Sequence, residues 1–400
     1  MQRDQVTAFT LVFALCISLS ASAADWPNWL GPNRDSTTTD KGFDPAFAKG
    51  GVDIKWSADI GIGFSAVTVA DGTAYTAGWA DGKTTFFAFD AKTGKKRWSH
   101  SAATGKYADF NIGGTRGSAA VDGDKVYFVN ADGRLYCYNV KDGSIAWEKD
   151  LAKAYGVKPP TWGFSGTPVI IGDIMYLDMG RTLALKKADG AEVWKSDNFG
   201  PAYSTPAPFT FGGKDYLAVF PKSGLYVLDR ATGKRIAHQP WDTKYGVHAA
   251  TPLIVDDTIL ISSEYNNGCA LLKFDGKKLS ILWENRSLRQ KMGTSLYHDG
   301  AFYGFDSTKL ACVDAKTGKQ LWTQRGLGHG TVVLVGENLV VLSDKGELYT
   351  AEASPKGFKP IVKTQVIKGD SNVWAGPTLA NNLLYVRGSK GKLVCIDVAK

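Results

Sequence analysis

CVDAKTGKQLW, residues Cys312 to Trp322, returns in related form about every 40 to 50 residues along the chain. AFDAKTGKKRW ends at Trp98, CYNVKDGSIAW at Trp147 and ALKKADGAEVW at Trp194. VLDRATGKRIA places Ala237 where the tryptophan is expected, and KFDGKKLSILW restores the ring at Trp283. Each copy reads as a hairpin. An apolar strand runs into Asp or Asn, the chain turns at a Thr-Gly or Asp-Gly pair that tolerates positive φ, and a second strand carries the ring. One large ring at a fixed distance from one tight turn implies that each unit docks on its neighbour.

Upstream of each hairpin lie two more short strands. A small-residue lead-in such as Gly166-Thr167-Pro168 or Ala250-Thr251-Pro252 opens the first. A turn such as Gly172-Asp173 or Asp256-Asp257 separates it from the second, as in MYLD and ILIS. Four antiparallel strands per unit of about 44 residues describe a propeller blade. The outermost strands fall at Trp56, Trp98, Trp147, Trp194, Ala237, Trp283, Trp322 and, weakly, near Ile361, which makes eight. In the seventh blade LYTAEASPKGFKPIV keeps the rhythm but replaces both the Asp-Gly turn and the ring. VDIKW at Val52 to Trp56 has no strands before it, and LVCIDVAK at the other end has none after it. Joining the two closes the ring and removes two exposed sheet edges. The expected fold is all-β: an eight-bladed β-propeller of four-stranded antiparallel blades, in which the N-terminal strand completes the C-terminal blade. Trp56, Trp98, Trp147, Trp194, Trp283 and Trp322 are its docking residues.

Three spans follow. Residues 1–23 carry Arg3, an apolar run from Phe9 to Leu19 and Ala21-Ser22-Ala23, the pattern of a signal peptide cleaved near Ala23. Residues 24–51, rich in Pro, Gly, Asn and Thr, read as an irregular segment packed on the propeller and anchored by Trp26 and Trp29. Residues 52–400 form the single propeller. The apolar run of the signal is too short to span a membrane, and no later stretch is long enough. The expected location is the periplasm or the exterior of a bacterial cell. Cys137, Cys312 and Cys395 occupy one slot in different blades, too far apart to bridge, so these and Cys269 read as small buried apolar residues. The net charge of +8 is dispersed among turn lysines such as Lys95-Lys96 and Lys277-Lys278, which solvate turns and discourage edge pairing. Dispersed lysines give no nucleic-acid footprint.

On the form A-x-D-x-x-T-G-x-x-x-W, the chain resembles the PQQ-type β-propeller repeat family from VDIKW to LVCIDVAK. The leader WPNWLGPNRD is similar to a segment that precedes such propellers in exported bacterial proteins. The resemblance implies one of two branches. Quinoprotein dehydrogenases hold pyrroloquinoline quinone and calcium in the central funnel, the alcohol dehydrogenases among them stacking the quinone on a disulfide of adjacent cysteines. The other branch is non-catalytic and includes an outer-membrane assembly lipoprotein of this size and blade number. No Cys-Cys pair and no haem-attaching Cys-x-x-Cys-His occurs here. His100, His238, His248, His298 and His329 lack close metal-ligand spacing, and Gly326 to Gly330 opens a strand where a phosphate cradle needs a helix. The reading is therefore a non-enzyme with no cofactor and no metal, with pyrroloquinoline quinone and calcium as the alternative.

Function is expected where the blades differ, on the loops leading from each outer strand to the next inner strand. The residues just before the small-residue lead-ins face the channel mouth: Phe64, Arg116, Phe164, Tyr203, His248, Lys291, His329 and Trp374. Rings supply desolvated area and guanidinium supplies oriented donors, so this rim suits recognition of an anionic or carbonyl-bearing ligand. The expected role is a binding or scaffolding module, monomeric, with an envelope or extracellular protein as partner. A glycan is the alternative partner, and a carbohydrate-binding propeller the alternative role.

Overall fold

The computed structural model describes residues 24–108, 112–265 and 267–399. The signal reading for residues 1–23 lies outside the described residues. Among the described residues seven sheets follow one another along the chain, each with four blade strands antiparallel and paired in sequence order. Blade 1 runs from Thr68 to Ala103, blade 2 from Ala120 to Asp150, blade 3 from Val169 to Lys195 and blade 4 from Ala207 to Pro240. Blade 5 runs from Leu253 to Asn285, blade 6 from Leu296 to Gln324 and blade 7 from Thr331 to Gln365. The eighth sheet combines Thr378–Ala380, Leu383–Arg387 and Lys392–Asp397 with Ile54–Asp59 from the other end of the chain. Trp56 pairs with Cys395 and Asp59 with Lys392, antiparallel, as the closure argument requires. First strands of neighbouring blades touch, so they ring the axis.

The recurrent hairpin has a local cause and a long-range one. Locally, the Asp314 carboxylate accepts from Thr317 N at 2.7 Å and Thr317 Oγ1 at 2.6 Å, and Asp90 and Asp229 hold Thr93 and Thr232 the same way. The Asp and Thr of the repeat are thus a turn cap. At long range, each ring reaches the hairpin of the next blade and donates its indole N–H to a backbone carbonyl there. Trp56 reaches Ala91 O at 2.9 Å, Trp98 Val140 O at 2.9 Å and Trp147 Lys187 O at 3.2 Å. Trp194 reaches Arg230 O at 3.1 Å, Trp283 Ala315 O at 2.9 Å and Trp322 Ser354 O at 2.9 Å.

The two missing rings also have reasons. Beside Ala237, the Gly276 turn of blade 5 faces Phe211. Blade 7 has no hairpin to dock on, because the third and outer strands of blade 8 come from opposite ends of the chain. The four cysteines Cys137, Cys269, Cys312 and Cys395 are free and buried. Burial pushes the Cys137 and Cys312 thiols up to about 11 and Cys395 up to about 12, so they pack as apolar groups.

The N-terminal segment pairs with channel-lining strands. Trp26 exchanges two 2.9 Å backbone hydrogen bonds with Val69 of blade 1, and Pro27 O accepts from Val121 N of blade 2. Arg34 donates to Ile170 O of blade 3, while Thr37–Thr38 add a short parallel strand to the inner edge of blade 7. Phe43 then bridges Ala399 in blade 8. The segment therefore crosses the channel, and Trp26, 4% exposed, anchors it.

Candidate functional site: an aromatic funnel

Loops from several blades converge on a funnel of about 780 Å³, counting its open mouth. Phe64, Arg116, Trp162, Tyr203 and Trp374 form much of its wall, with Val247, Ala249 and Met292 between them. Trp29 of the N-terminal segment closes the bottom and donates to Thr251 Oγ1 at 3.0 Å. The same ring borders a second cavity lower in the channel, so it partitions the axis. That lower cavity is lined by Asn28, Arg34, Asp35 and the lead-in prolines Pro168, Pro206 and Pro252.

One wall is an ordered ladder. Arg116 Cζ lies 5.1 Å from the centroid of Phe64, and Phe64 stacks on Trp374 with centroids 5.2 Å apart and planes 17° apart. Lys291 Nζ lies 5.2 Å from the Trp374 ring. The sequence cation, ring, ring, cation is favoured because each charge meets an electron-rich ring face. Opposite, Trp162 meets Tyr203 edge-on at 5.7 Å and 69°. Arg116 Nη1 donates to Gly114 O at 3.2 Å and Trp162 O at 3.1 Å, which fixes the guanidinium in the wall. Burial draws its pKa down to about 10, still cationic at neutral pH.

Of the eight residues expected at the mouth, Phe64, Arg116, Tyr203 and Trp374 line the funnel, and Lys291 packs on it through Trp374. The other three lie outside the lining. Phe164 is 2% exposed and belongs to the core between blades 2 and 3, where its ring would stand 2.8 Å from a Cβ at Gly133. His248 is fully buried, stacked on Phe220 at 4.1 Å, with Nδ1 2.7 Å from Pro221 O and Nε2 2.8 Å from Thr243 Oγ1. Burial holds its pKa down at about 4, so it is a neutral structural imidazole. His329 is half-buried, its backbone N–H donating to Asp344 at 3.1 Å. Burial and the nearby Lys291 ammonium lower its pKa.

Trp29, Tyr265, Val247, Ala249 and Met292 are lining residues that position in the repeat does not mark. Tyr265 comes from the turn between the second and third strands of blade 5, and Trp29 from outside the repeat altogether. Tyr245 and Tyr265 meet edge-on at 5.5 Å, and both hold positive φ, 70° and 61°, a strained state for an aromatic residue. Tyr245 is 66% exposed, so the loop presents a ring to solvent.

Chemically, the lining offers rings and one guanidinium. No Asp, Glu, His or Cys is among the lining residues. A quinone held with calcium needs carboxylate or amide oxygens in the funnel, and the lining does not supply them. Cys137, Cys269, Cys312 and Cys395, all buried, lie in strands of four different blades and offer no adjacent pair to stack on.

The family described as outer membrane protein assembly factor BamB matches residues 51–177, 178–325 and 306–400. An outer membrane protein assembly factor BamB from Yersinia pestis is 24% identical over 84% of this chain and 86% of its own length. A quinoprotein ethanol dehydrogenase from Pseudomonas putida is 27% identical over 32% of this chain and only 19% of its own length. Among solved structures, BamB from Moraxella catarrhalis superposes with a TM-score of 0.62 at 16% identity, covering 86% of this chain and 99% of its own. The family match across residues 51–400, nearly the entire propeller, places this chain in the outer membrane protein assembly factor BamB family.

Proposed function

We infer that the protein is a non-catalytic binding module of the bacterial cell envelope that takes part in assembling outer-membrane proteins, docking a partner protein on its loop face. The observation that carries this reading is the funnel wall Arg116, Phe64, Trp374 and Lys291, built of groups suited to recognition, in a lining whose described residues include no carboxylate, imidazole or thiol. The full-length relatives, named as assembly factors, support the same role. Their name as outer membrane protein assembly factors supports a site at the cell envelope, and the secretory pattern of residues 1–23 agrees with a periplasmic one. No cofactor enters this reading.

The test is capture from an envelope extract with the mature protein as bait. Replacing Arg116 and Trp374 together by alanine is expected to abolish capture of the partner while the melting temperature moves by only a few degrees. Undiminished capture by a folded double variant overturns the assignment of this face.

A further inference from the structure

The chemistry of the funnel's occupant follows from two donor groups, a guanidinium that meets no carboxylate and an indole N–H that meets no acceptor among the described residues. Among the described residues, Arg116 is the only charged one in the lining, and the one ionisable group acting on it is the Tyr203 phenol. Its Nη1 is used on two backbone carbonyls, and among the described residues the rest of the fork meets no carboxylate. Trp374, 9% exposed and also in the lining, has an indole N–H with no acceptor. By contrast, each of the six blade-docking rings donates to a carbonyl. Native interiors leave few donors unmatched, and an uncompensated cation among rings is costly, so two in one cavity point to a ligand with acceptor oxygens.

We propose that the funnel binds an aromatic or bulky apolar group bearing a single carboxylate, which Arg116 pairs, with Trp29 as the floor beneath the apolar part. This rests on the funnel being the binding surface. One lining cation matches one carboxylate, and a planar fork suits carboxylate oxygens two at a time. The surrounding Trp162, Tyr203, Tyr265 and Met292 supply apolar area without further charge. Because Trp29 belongs to the N-terminal segment, that segment is part of the site as well as a strap across the channel. The carboxylate-bearing group has two possible sources, a free small molecule or a side chain next to an acidic residue in a partner polypeptide.

The experiment is calorimetric titration of the mature protein at low salt with three probes: N-acetyl-phenylalanine, its amide, and a peptide blocked at both ends with an internal Phe-Asp pair. The acid is expected to bind at least tenfold more tightly than the amide. Arg116→Gln brings acid and amide within twofold of each other, whereas Trp29→Leu weakens both alike. Circular dichroism and melting temperature verify that each variant folds. Tight binding of the peptide with the same dependence on Arg116 assigns the source to a polypeptide, and binding of the acid alone assigns it to a small molecule. Equal affinity for acid and amide in the unaltered protein, a ratio that survives Arg116→Gln, or binding by none of the three overturns the proposal. If partner capture persists while all three probes fail, only this inference falls and docking occurs on the rim.

Discussion

At the scale of single residues, the repeat glycines carry two constraints of which sequence displays one. Positive φ at the hairpin was legible from the Thr-Gly and Asp-Gly pairs. The second constraint comes from another blade. A Cβ on Gly233, whose φ is 71°, would sit 2.3 Å from the Trp194 ring, whereas Gly172 at φ 58° has nothing within 4 Å. Gly172→Ala is therefore expected to cost about 1 kcal/mol, the left-handed strain alone, and Gly233→Ala about 3 kcal/mol or more because the ring must also undock. Urea unfolding of the two variants checks the difference, and equal losses would remove the ring contact from the explanation. Asp178 gives a second residue-scale expectation. It is buried at the end of the second strand of blade 3, and desolvation pushes its carboxyl up to about 7 despite a hydrogen bond from Gly180 N. A raised carboxyl pKa means that the folded state binds the proton more tightly than the unfolded chain. Stability is then fully present near pH 4 and declines as pH rises toward about 7, by up to about 4 kcal/mol. Asp178→Asn should raise the melting temperature at pH 8 while changing it little at pH 4; a parallel shift at both values contradicts a titrating Asp178.

At the scale of elements, the docking hairpin explains why the blades were countable from sequence and the site only half so. A ring at a fixed offset from a turn is a periodic signal, and Trp98 or Trp322 meets the same kind of carbonyl one blade on. Trp322→Ala is expected to lower stability by about 3 kcal/mol, the low end for a large ring because Trp322 is only half-buried, with funnel binding retained. Trp322→Phe keeps most of the packing against Phe358 and loses the bond to Ser354 O, for about 1 kcal/mol. Paired melting curves and partner capture test both, and a Trp322→Ala protein of unaltered stability would deny the docking role. Loops carry no such period. Phe64, Arg116, Tyr203 and Trp374, named from position in the loop, line the funnel, but position does not tell a ring aimed at the axis from one tucked between blades. Phe164 fills the space beside Gly133, and His248 is held against Phe220 and Pro221 O; both depend on contacts across blades. Trp29 was legible as an anchor, but its place under the funnel depends on a path through the channel that no local pattern encodes.

At the scale of the whole molecule, the two ends of the chain pair within blade 8, and a buried cation ties that closing blade to blade 1 across the seam between them. The outer strand Ile54–Asp59 supplies the covalent link, since the chain runs from it into blade 1. Inside the seam Arg387, 1% exposed, donates to Ala77 O at 2.6 Å, Ser65 O at 3.2 Å and Gly61 O at 3.0 Å. All three acceptors lie between the outer strand of blade 8 and the middle of blade 1, so one side chain ties the last repeat to the first. Burial lowers its pKa to about 9, with Asp370 the only charge opposing that shift. The guanidinium is thus kept charged by carbonyl dipoles instead of a direct ion pair. Replacing it with methionine removes the buried charge but leaves Gly61 O without that donor, while Ser65 O keeps Thr76 Oγ1 and Ala77 O keeps Thr115 Oγ1, and the lost bonds dominate because an orphaned acceptor costs about 1–3 kcal/mol. Arg387→Met should therefore destabilise the protein by about 1–3 kcal/mol. The loss should be localised: in hydrogen exchange, the amides of blades 8 and 1 exchange faster while those of blades 3 to 5 keep their protection, because each blade contacts only its neighbours. Uniform acceleration around the ring would mean that opening does not begin at the seam, and that the eight blades unfold as one unit whichever junction is weakened.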